Sequence, residues 1–289
     1  MEENTEMNAK PIKDLSRLCL HTITTKPWRF EEAAENYSRA GVAGISVWRD
    51  TLEGLDIRKT GQMLRDSGLT IVSYVRGGFF AAKGESGRLA AIDDNKKIID
   101  EASDLGAPLI VLVCGAVPGQ PLVESCRQIH DGIAAVLPHA EQAQVKLAVE
   151  PLHPMYADDR SAIVTLRQAN DTVVSFNSEY LGVAYDVYHL WWDPELETET
   201  ERCGRNSNLF AFHICDWKTP TEDLLLDRGL MGEGCIDIRH LRGRVESLGF
   251  TGFHEVEIFS KKYWAEDQTE FLEKIIPVSY THLRAHETT

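Results

Sequence analysis

Short apolar runs, rich in β-branched and aromatic residues, alternate along the chain with longer amphipathic segments, and turn residues separate the two. The runs that predict strands are Leu18–Thr24, Val42–Trp48, Thr70–Val75, Leu109–Cys114, Val145–Leu152, Gly182–Leu190, Leu209–Cys215 and Gly252–Phe259. The segments that predict helices are Phe30–Ala40, Ile57–Ser67, Leu89–Leu105, Leu122–Ala143, Ala162–Phe176, Ile238–Leu248 and Asp267–Ile276. The pattern therefore predicts strands and helices in regular alternation.

The predicted units repeat about every 33 residues, close to the roughly 30 of one βαβ unit. Eight such units closed into a barrel need about 250 residues, and the chain has 289. A doubly wound open sheet is the alternative, but it normally uses fewer strands, and no GxGxxG sequence follows the first predicted strand. The pattern predicts an α/β fold, a single-domain (βα)8 TIM barrel.

Both ends of the chain differ from the predicted barrel, which we place at residues 15–277. Residues 1–14 form an acidic, polar N-terminal extension without the apolar stretch of a signal peptide. Residues 278–289 read VSYTHLRAHETT and resemble the translated read-through of a transposon-type sequencing adapter. We expect this tail to be non-native, with a genuine polar tail as the alternative, and exclude His282 and His286 as ligands.

The chain carries 45 acidic and 30 basic residues, a formal net charge of −15. Nucleic-acid-binding proteins usually present a basic patch, so this balance disfavours DNA or RNA as a partner. No run of about 18 apolar residues is present, and we expect no membrane span. The six cysteines are scattered without a CxxC pair, which is typical of free thiols in a reducing compartment and favours the cytoplasm.

In a barrel of this kind the chemistry lies at the carboxyl ends of the strands. Four consecutive predicted strands end in ionisable residues: Glu150 on the fifth, Asp186 and His189 on the sixth, His213 and Asp216 on the seventh, and Glu255 and Glu257 on the eighth. Taken singly, such a residue is more often a core or surface group than a ligand. Ionisable groups in apolar strands are costly unless paired or metal-bound, so four in succession favour a metal site.

The predicted ligands are Glu150, Asp186, His213 and Glu257, around one divalent metal ion. Three carboxylates and one imidazole suit Mn²⁺, Mg²⁺ or Co²⁺ better than a thiolate-type zinc site. We expect Mn²⁺, with Mg²⁺, Co²⁺ and Zn²⁺ as alternatives. Glu257 is preferred to Glu255, which shares its face of the strand, because Glu257 lies nearer the carboxyl end.

Short sequences at these strand ends and turns resemble one family: EPLHP, YDVYHLWW, FHICDW, GEGCID and VEIF. To about residue 277, the chain resembles the xylose-isomerase-like barrels of the sugar phosphate isomerase/epimerase group. That group includes ketose 3-epimerases, hydroxypyruvate isomerases, and inosose isomerases and dehydratases. The resemblance implies the same four metal ligands, Glu150, Asp186, His213 and Glu257.

The resemblance also implies substrate contacts from His189, three residues after Asp186, and from Arg228, four residues before the Gly-Glu-Gly turn at 232–234. The chain departs from the ketose 3-epimerases at Tyr156, where those enzymes carry a second Glu that helps to hold the sugar end. This departure weakens a specificity for ketose 3-epimerisation and leaves the metal site unaffected.

The DNA-repair endonucleases of the same superfamily are the alternative within it. Their trinuclear zinc site needs further histidines on earlier strands and an Asp-x-His sequence after strand seven. Here Asp227-Arg228-Gly229 stands in that place, and predicted strands three and four end in VRGG and VCG, without histidine. The ligands for extra metals are missing, so we expect no nucleic-acid partner.

Other side chains at the strand ends are candidate substrate contacts. They are Trp48, Trp192, His153 and Lys218, with Arg160, His21 and the Arg76-Gly77-Gly78 turn as weaker candidates. Aromatic faces pack against the C–H groups of sugars, although packing at the barrel rim explains either tryptophan equally well. His21 can face substrate or only fill the barrel.

We therefore expect an isomerase or epimerase of a small sugar, keto-sugar or sugar phosphate that transfers a proton through a metal-stabilised enediolate. Glu150 and Glu257 would be the catalytic pair, with His189 and Arg228 beside the developing charge. A lyase or dehydratase acting on a keto-sugar or inosose by β-elimination is the alternative, and a non-catalytic sugar-binding barrel is the third hypothesis. The expected partner is a small carbohydrate, and the sequence leaves open whether the chain forms a homo-oligomer.

Overall fold

The computed structural model describes residues 15–281. The predicted N-terminal extension, residues 1–14, lies outside the described residues, and so do residues 282–289 of the predicted tail. Between residues 15 and 281, no helix combines the length and the apolar composition that crossing a bilayer requires.

Eight strands between residues 15 and 281 close into a parallel barrel, which confirms the predicted fold. With two short strands outside the barrel, the described residues form ten strands. In chain order they are β1 (Leu18–His21), β2 (Gly44–Trp48), β3 (Thr70–Gly78), β4 (Leu109–Val113), β5 (Lys146–Glu150), β6 (Leu181–Asp186), β7 (Leu209–Ile214), β8 (Asp216–Trp217), β9 (Arg228–Gly229) and β10 (His254–Val256). The order around the barrel is β1, β10, β7, β6, β5, β4, β3 and β2. The remaining strands, β8 and β9, pair with each other in antiparallel fashion just beyond the end of β7.

Helices connect the barrel strands. They are α1 (Phe30–Arg39), α2 (Ile57–Asp66), α3 (Glu85–Leu105), α4 (Leu122–Ala143), α5 (Leu166–Phe176), α6 (Val187–Leu190), α7 (Leu196–Arg205), α8 (Ile238–Ser247), α9 (Lys261–Trp264) and α10 (Gln268–Thr281). Short 3₁₀ turns lie at Arg49–Leu52 and Pro154–Tyr156. Helix α10 runs across the start of the predicted tail, so residues 278–281 of that tail are helical.

Seven of the eight predicted barrel strands are shorter in the structure, and only the third, β3, is longer. The predicted strand Gly182–Leu190 ends at Asp186, because the carboxylate of Asp186 accepts the Tyr188 amide at 2.7 Å and caps the start of α6. The predicted strand Gly252–Phe259 is paired only over His254–Val256. Helix α7 contains most of the charged run Glu195–Glu201, whose pattern indicates a solvated helix face.

Small apolar residues and ionisable residues alternate on the inner faces of three neighbouring strands. Ala148, Ala184 and Ala211 are buried inside the barrel on β5, β6 and β7. Since side chains two positions apart share a face, the residues that follow toward the carboxyl ends are Glu150, Asp186 and His213. The interior is therefore apolar in its middle and ionisable at the carboxyl end of the barrel.

Candidate metal centre

The four predicted ligands converge at the carboxyl end of the barrel. Glu150 ends β5, Asp186 ends β6, His213 lies on β7, and Glu257 follows β10 directly. Each offers one donor atom, and these atoms all lie within 4.8 Å of one another. All four residues are buried, and the β6–β7 register sets Asp186 beside His213. Closure of the barrel thus brings together donors from distant parts of the sequence.

The donor set fits a divalent cation. Metal–ligand bonds of about 2.0–2.2 Å place ligand atoms about 3–4.4 Å apart, which agrees with this spacing. Burial alone would lower the pKa of His213, but the charge of Glu255 and the hydrogen bond and charge of Glu150 raise it to about 10. The cluster therefore attracts positive charge at this point, and a divalent metal ion matches three carboxylates and one imidazole.

Arg228, on β9, joins the carboxylates of two of the candidate ligands. Its Nη1 donates to Asp186 Oδ2 at 3.1 Å and to Glu257 Oε2 at 2.8 Å. The rings of Tyr188 and Phe259 lie 4.4 and 4.9 Å from its Cζ atom. Burial alone would lower the pKa of Arg228, but Asp186 and the other acidic groups raise it well above its usual value. Arg228 is therefore a fixed cation in contact with two of the four candidate ligands.

The two carboxylates on Arg228 differ in their electrostatic surroundings. Burial raises the pKa of Asp186 to about 7 despite the charge of Arg228. Burial acts on Glu257 in the same direction, but the charges of His21 and Arg228 hold the pKa of Glu257 well below its usual range. A divalent cation among the ligands would favour the ionised form of both carboxylates.

Glu255 lies fully inside the barrel and belongs to a hydrogen-bonded group. Its Oε2 accepts hydrogen bonds from Ser46 Oγ at 2.6 Å and Ser73 Oγ at 3.2 Å, and lies 3.2 Å from His21 Nε2 and 3.7 Å from His213 Nε2. The other ring nitrogen of His213 lies 3.1 Å from Glu150 Oε1. Glu255 thus lies beside the His213 nitrogen that points away from the other three candidate ligands. In this position it can orient the imidazole.

Sequence reasoning left His21 and Glu255 open and missed Ser46 and Ser73. His21 lies between two carboxylates, with Nε2 toward Glu255 and Nδ1 3.1 Å from Glu257 Oε1. Burial alone would lower the pKa of His21, but Glu257 and Glu255 raise it. The inward positions of small hydroxyl residues on β2 and β3 were the only available signal.

His189, on α6, contributes a neutral ring. Burial and the charge of Arg228 hold the pKa of His189 well below its usual value. Its Nδ1 accepts the backbone amide of His153 at 3.3 Å, while Nε2 lies 3.2 Å from Arg228 Nη2 and 3.7 Å from Asp186 Oδ2. The guanidinium can only donate, so both ring nitrogens of His189 face N–H donors, and a neutral imidazole accepts at only one of them.

A small cavity of about 40 Å³ lies next to two of the candidate ligands, Glu150 and Glu257. Its lining residues are Trp48, Val75, Arg76, Val113, Glu150, Leu152, Tyr156, Arg160, His189, Leu225, Arg228, Glu257 and Phe259. A larger cavity of about 610 Å³ lies beside it and shares Trp48, Val75 and Arg76. Three of the charged groups in the larger cavity are paired with one another, because Arg49 forms ion pairs with Asp94 and Glu101. The candidate chemistry therefore belongs to the smaller cavity.

Three of the predicted substrate contacts line this cavity and three do not. Trp48, His189 and Arg228 are in its wall. His153 and Trp192 lie outside that wall, with their ring centres 5.6 Å apart. Lys218 also lies outside it and donates to Asp227. Sequence reasoning missed Leu225 and Phe259, since neither carries a chemical signal that separates it from core residues.

Comparison with known proteins agrees with this architecture. Residues 34–275 match the sequence profile of the family described as the xylose isomerase-like TIM barrel. A crystal structure of a protein from Sinorhizobium meliloti is 42% identical, with a TM-score of 0.91, over 94% of this chain and 100% of that chain. The IOLI protein, whose crystal structure holds a zinc atom, is 20% identical with a TM-score of 0.79 over 92% of this chain and 98% of its own.

A curated relative is the inosose isomerase of Bacillus licheniformis. It is 28% identical over 202 residues, which cover 64% of this chain. The chain spans just under two thirds of that relative's length, 66%. Because the family profile covers most of the chain, from residue 34 to residue 275, the chain belongs to the xylose isomerase-like TIM barrel family.

Proposed function

We propose that the chain is a divalent-metal-dependent isomerase or epimerase of a small sugar, keto-sugar or sugar phosphate. The proposal depends on which of the four candidate metal ligands reach the cavity. Glu150 and Glu257 are the carboxylates in its wall, whereas Asp186 and His213 are fully buried behind it. The set therefore divides into two carboxylates that can meet substrate and two residues that can only hold a metal.

Glu150 and Glu257 form the proton-transfer pair. One carboxylate takes the proton from the carbon next to the substrate carbonyl, and the same or the other carboxylic acid returns a proton. Return to the opposite face of the same carbon yields an epimer. Return to the neighbouring carbon yields an isomer, with the hydroxyl proton passing to the former carbonyl oxygen. Glu257 suits the accepting role, because His21 and Arg228 keep it ionised.

The remaining residues position the metal ion or lie beside the substrate oxygens. A bound divalent ion, with Mn²⁺ as our proposal, would supply a Lewis acid for the carbonyl and hydroxyl oxygens. Asp186 and His213 position that ion. The ring of His189 and the guanidinium of Arg228 line the cavity, where the guanidinium can stabilise negative charge that develops on the substrate oxygens and the neutral ring can contact the substrate.

We further propose a reducing compartment, the cytoplasm, for this chain. Its six cysteines are all free thiols, and four of them are buried. Burial raises the pKa values of Cys19 and Cys215 well above the usual thiol range. Such thiols suit packing rather than reaction.

Metal removal and reconstitution test the proposed function. The protein is stripped with a chelator, reloaded with Mn²⁺, Mg²⁺, Co²⁺ or Zn²⁺, and assayed against ketoses, ketose phosphates and inososes. We expect one metal ion per chain and a product of unchanged mass. Glu150→Gln and Glu257→Gln should each lower kcat by about 10²–10⁴-fold, while Glu201→Gln on the exposed side of α7 should not. Turnover that survives complete metal removal would contradict the proposal, and loss of water from the substrate would favour the lyase instead.

A further inference from the structure

Two guanidinium groups at the mouth of the cavity have no acidic partner among the described residues. Arg76, on β3, and Arg160, after the second 3₁₀ turn, are half-buried and line the cavity together with Glu150 and Glu257. Neither side chain takes part in an ion pair or a hydrogen bond within residues 15–281. By contrast, the neighbouring Arg49 pairs with two acidic groups.

Aromatic rings take the place of acidic partners around these two arginines. Arg76 Cζ lies 5.7 Å from the Trp48 ring centre and 4.8 Å from that of Phe79. Arg160 Cζ lies 5.5 Å from the ring centre of Tyr156. These contacts hold the guanidinium planes while leaving their N–H groups free to bind a ligand.

The backbones that carry both arginines are fixed to the end of β4. The β3–β4 register shifts between Val75 and Gly77, so Arg76 lies at a bulge that redirects its side chain. Gly78 follows with φ +106°, and a Cβ atom there would lie 2.0 Å from the Val113 carbonyl oxygen. On the other side, the carbonyl oxygen of Arg160 accepts the amide of Gly115 at 2.8 Å.

The charges around the cavity compensate these two arginines only in part. The three ligand carboxylates would be balanced by one divalent ion and Arg228, which is already bound to two of them. Burial lowers the pKa of Arg76 and the charge of Arg160 lowers it further, while the charges of Asp50, Glu150 and Glu257 oppose this effect. Two close, half-buried cations are costly unless an anion joins them.

We propose that Arg76 and Arg160 bind a phosphate group at the end of the substrate remote from its reacting carbons. This inference rests on the proposed function and narrows its substrate class to sugar phosphates. Two planar guanidinium groups match the charge and the oxygen geometry of a phosphate monoester. Tyr156 fits the same assignment, because a carboxylate at its place would pair with Arg160 and repel a phosphate.

Binding measurements on the metal-loaded chain test the phosphate subsite. Calorimetry compares D-fructose, D-fructose 6-phosphate and inorganic phosphate on the unaltered chain, on Arg76→Gln and on Arg160→Gln. We expect the phosphate ester to bind at least about tenfold more tightly than the neutral sugar, and each substitution to weaken ester binding about 10- to 100-fold. Arg205→Gln, an exposed arginine on α7, is the matched control and should leave binding unchanged.

Two further arms separate this subsite from the proposed function. Metal content is measured in each variant and should equal that of the unaltered chain. Phosphate binding to metal-free protein should persist and should weaken in both variants, which excludes phosphate bound only to the metal. Equal affinity for the ester in all variants, or tighter binding of a sugar carboxylate than of the phosphate, would overturn the subsite. Arginine-dependent phosphate binding without turnover of any sugar would instead overturn the proposed function alone.

Discussion

At the scale of single residues, the site depends on which carboxylates touch which cations. Glu255 and Glu257 are two residues apart on the same face, yet they have different environments. Glu257 reaches the cavity and the guanidinium of Arg228, whereas Glu255 lies deeper and accepts hydroxyl hydrogen bonds from two serines. The period of a strand predicts a shared face but not this difference in depth.

Glu255→Gln tests whether Glu255 orients the His213 ring. Loss of the negative charge beside His213 Nε2 should weaken metal binding about 10- to 100-fold, the usual range for a group that orients a metal ligand. Competition with a chromogenic chelator measures this affinity, and circular dichroism checks that the variant is folded. Ser73→Ala, which removes a donor to Glu255 but no charge, is the matched control and should have the smaller effect. Unchanged metal affinity in Glu255→Gln would contradict the role.

Glu246, on α8, joins the first and last strands at the other end of the barrel. Its Oε1 accepts from Arg17 Nη1 at 2.7 Å and lies 3.1 Å from both Arg242 Nε and His254 Nε2. Burial alone would raise the pKa of Glu246, but the His254 hydrogen bond and the Arg242 charge lower it to about 2. The stabilisation is therefore fully present above about pH 4.5, the unfolded range of a Glu, and is lost as the pH falls toward 2.

Glu246→Gln should lower the free energy of unfolding at pH 7 by about 1–2 kcal/mol, a figure that allows for solvent screening at this partly exposed group. The difference between the two proteins should shrink as the pH falls from about 4.5 toward 2. Urea titrations at a series of pH values measure it. Glu201→Gln, which removes an exposed ion pair with Arg205, should change stability by less than about 0.5 kcal/mol. A Glu246→Gln effect independent of pH would contradict the assignment.

At the scale of elements, close approach of helices decides the effect of some substitutions. Gly61 lies inside α2, where alanine would ordinarily stabilise a helix by about 1 kcal/mol. A Cβ atom at Gly61 would lie 2.1 Å from the carbonyl oxygen of Leu105, at the end of α3. The two helices would have to separate, and overpacking of this kind costs about 1–3 kcal/mol.

Gly61→Ala should therefore destabilise the protein, with the opposite sign to helix propensity. Thermal or urea unfolding measures the change. Gly84→Ala is the control, because Gly84 precedes α3 with negative φ and only Ser86 Oγ, at 3.8 Å, lies near its Cβ position. That substitution should change stability by about 0.5 kcal/mol or less. A stabilised Gly61→Ala protein would show that α2 and α3 have room to adjust.

The alternation of elements could be predicted from the sequence, but their ends could not. Apolar periodicity located all eight barrel strands, because each buries a β-rich run. It extended the predicted sixth strand into α6, since Val187 and Leu190 are as apolar as strand residues and the capping hydrogen bond of Asp186 gives no apolar signal. The charge pattern indicated a solvated helix face in α7, but the burial of Glu199 and Thr200 on that helix could not be predicted, because polar residues give no apolar signal.

At the scale of the whole molecule, barrel closure assembles the candidate site. The convergence of the four candidate ligands could be predicted, because each ends or follows an apolar strand and a barrel brings strand ends together. The sequence could not predict the partners of Arg228 or the lack of an ion pair at Arg76, since both depend on distances between loops and strands far apart in sequence. The non-native origin of the C-terminal tail stays a prediction. The oligomeric state stays open.

Metal binding should stabilise the fold, because it links the ends of four strands. An ion at about 100 times its Kd adds about 2.7 kcal/mol to the free energy of unfolding. For a domain of this size that corresponds to a Tm higher by roughly 5–10 °C. Differential scanning calorimetry of chelated and metal-loaded protein measures the shift, and Asp186→Asn should abolish most of it. An unchanged Tm across metal concentrations would contradict a site formed by these strands.

The central claim is proton transfer next to a carbonyl by Glu150 and Glu257. Its most direct test is solvent deuterium exchange, followed by NMR, with metal-loaded protein and a panel of ketoses, ketose phosphates and inososes in D₂O. We predict deuterium at the carbon next to the carbonyl of at least one compound, in a product of otherwise unchanged composition, and its loss in Glu150→Gln and Glu257→Gln. Absence of exchange across the panel, with one metal ion bound per chain, would contradict the account.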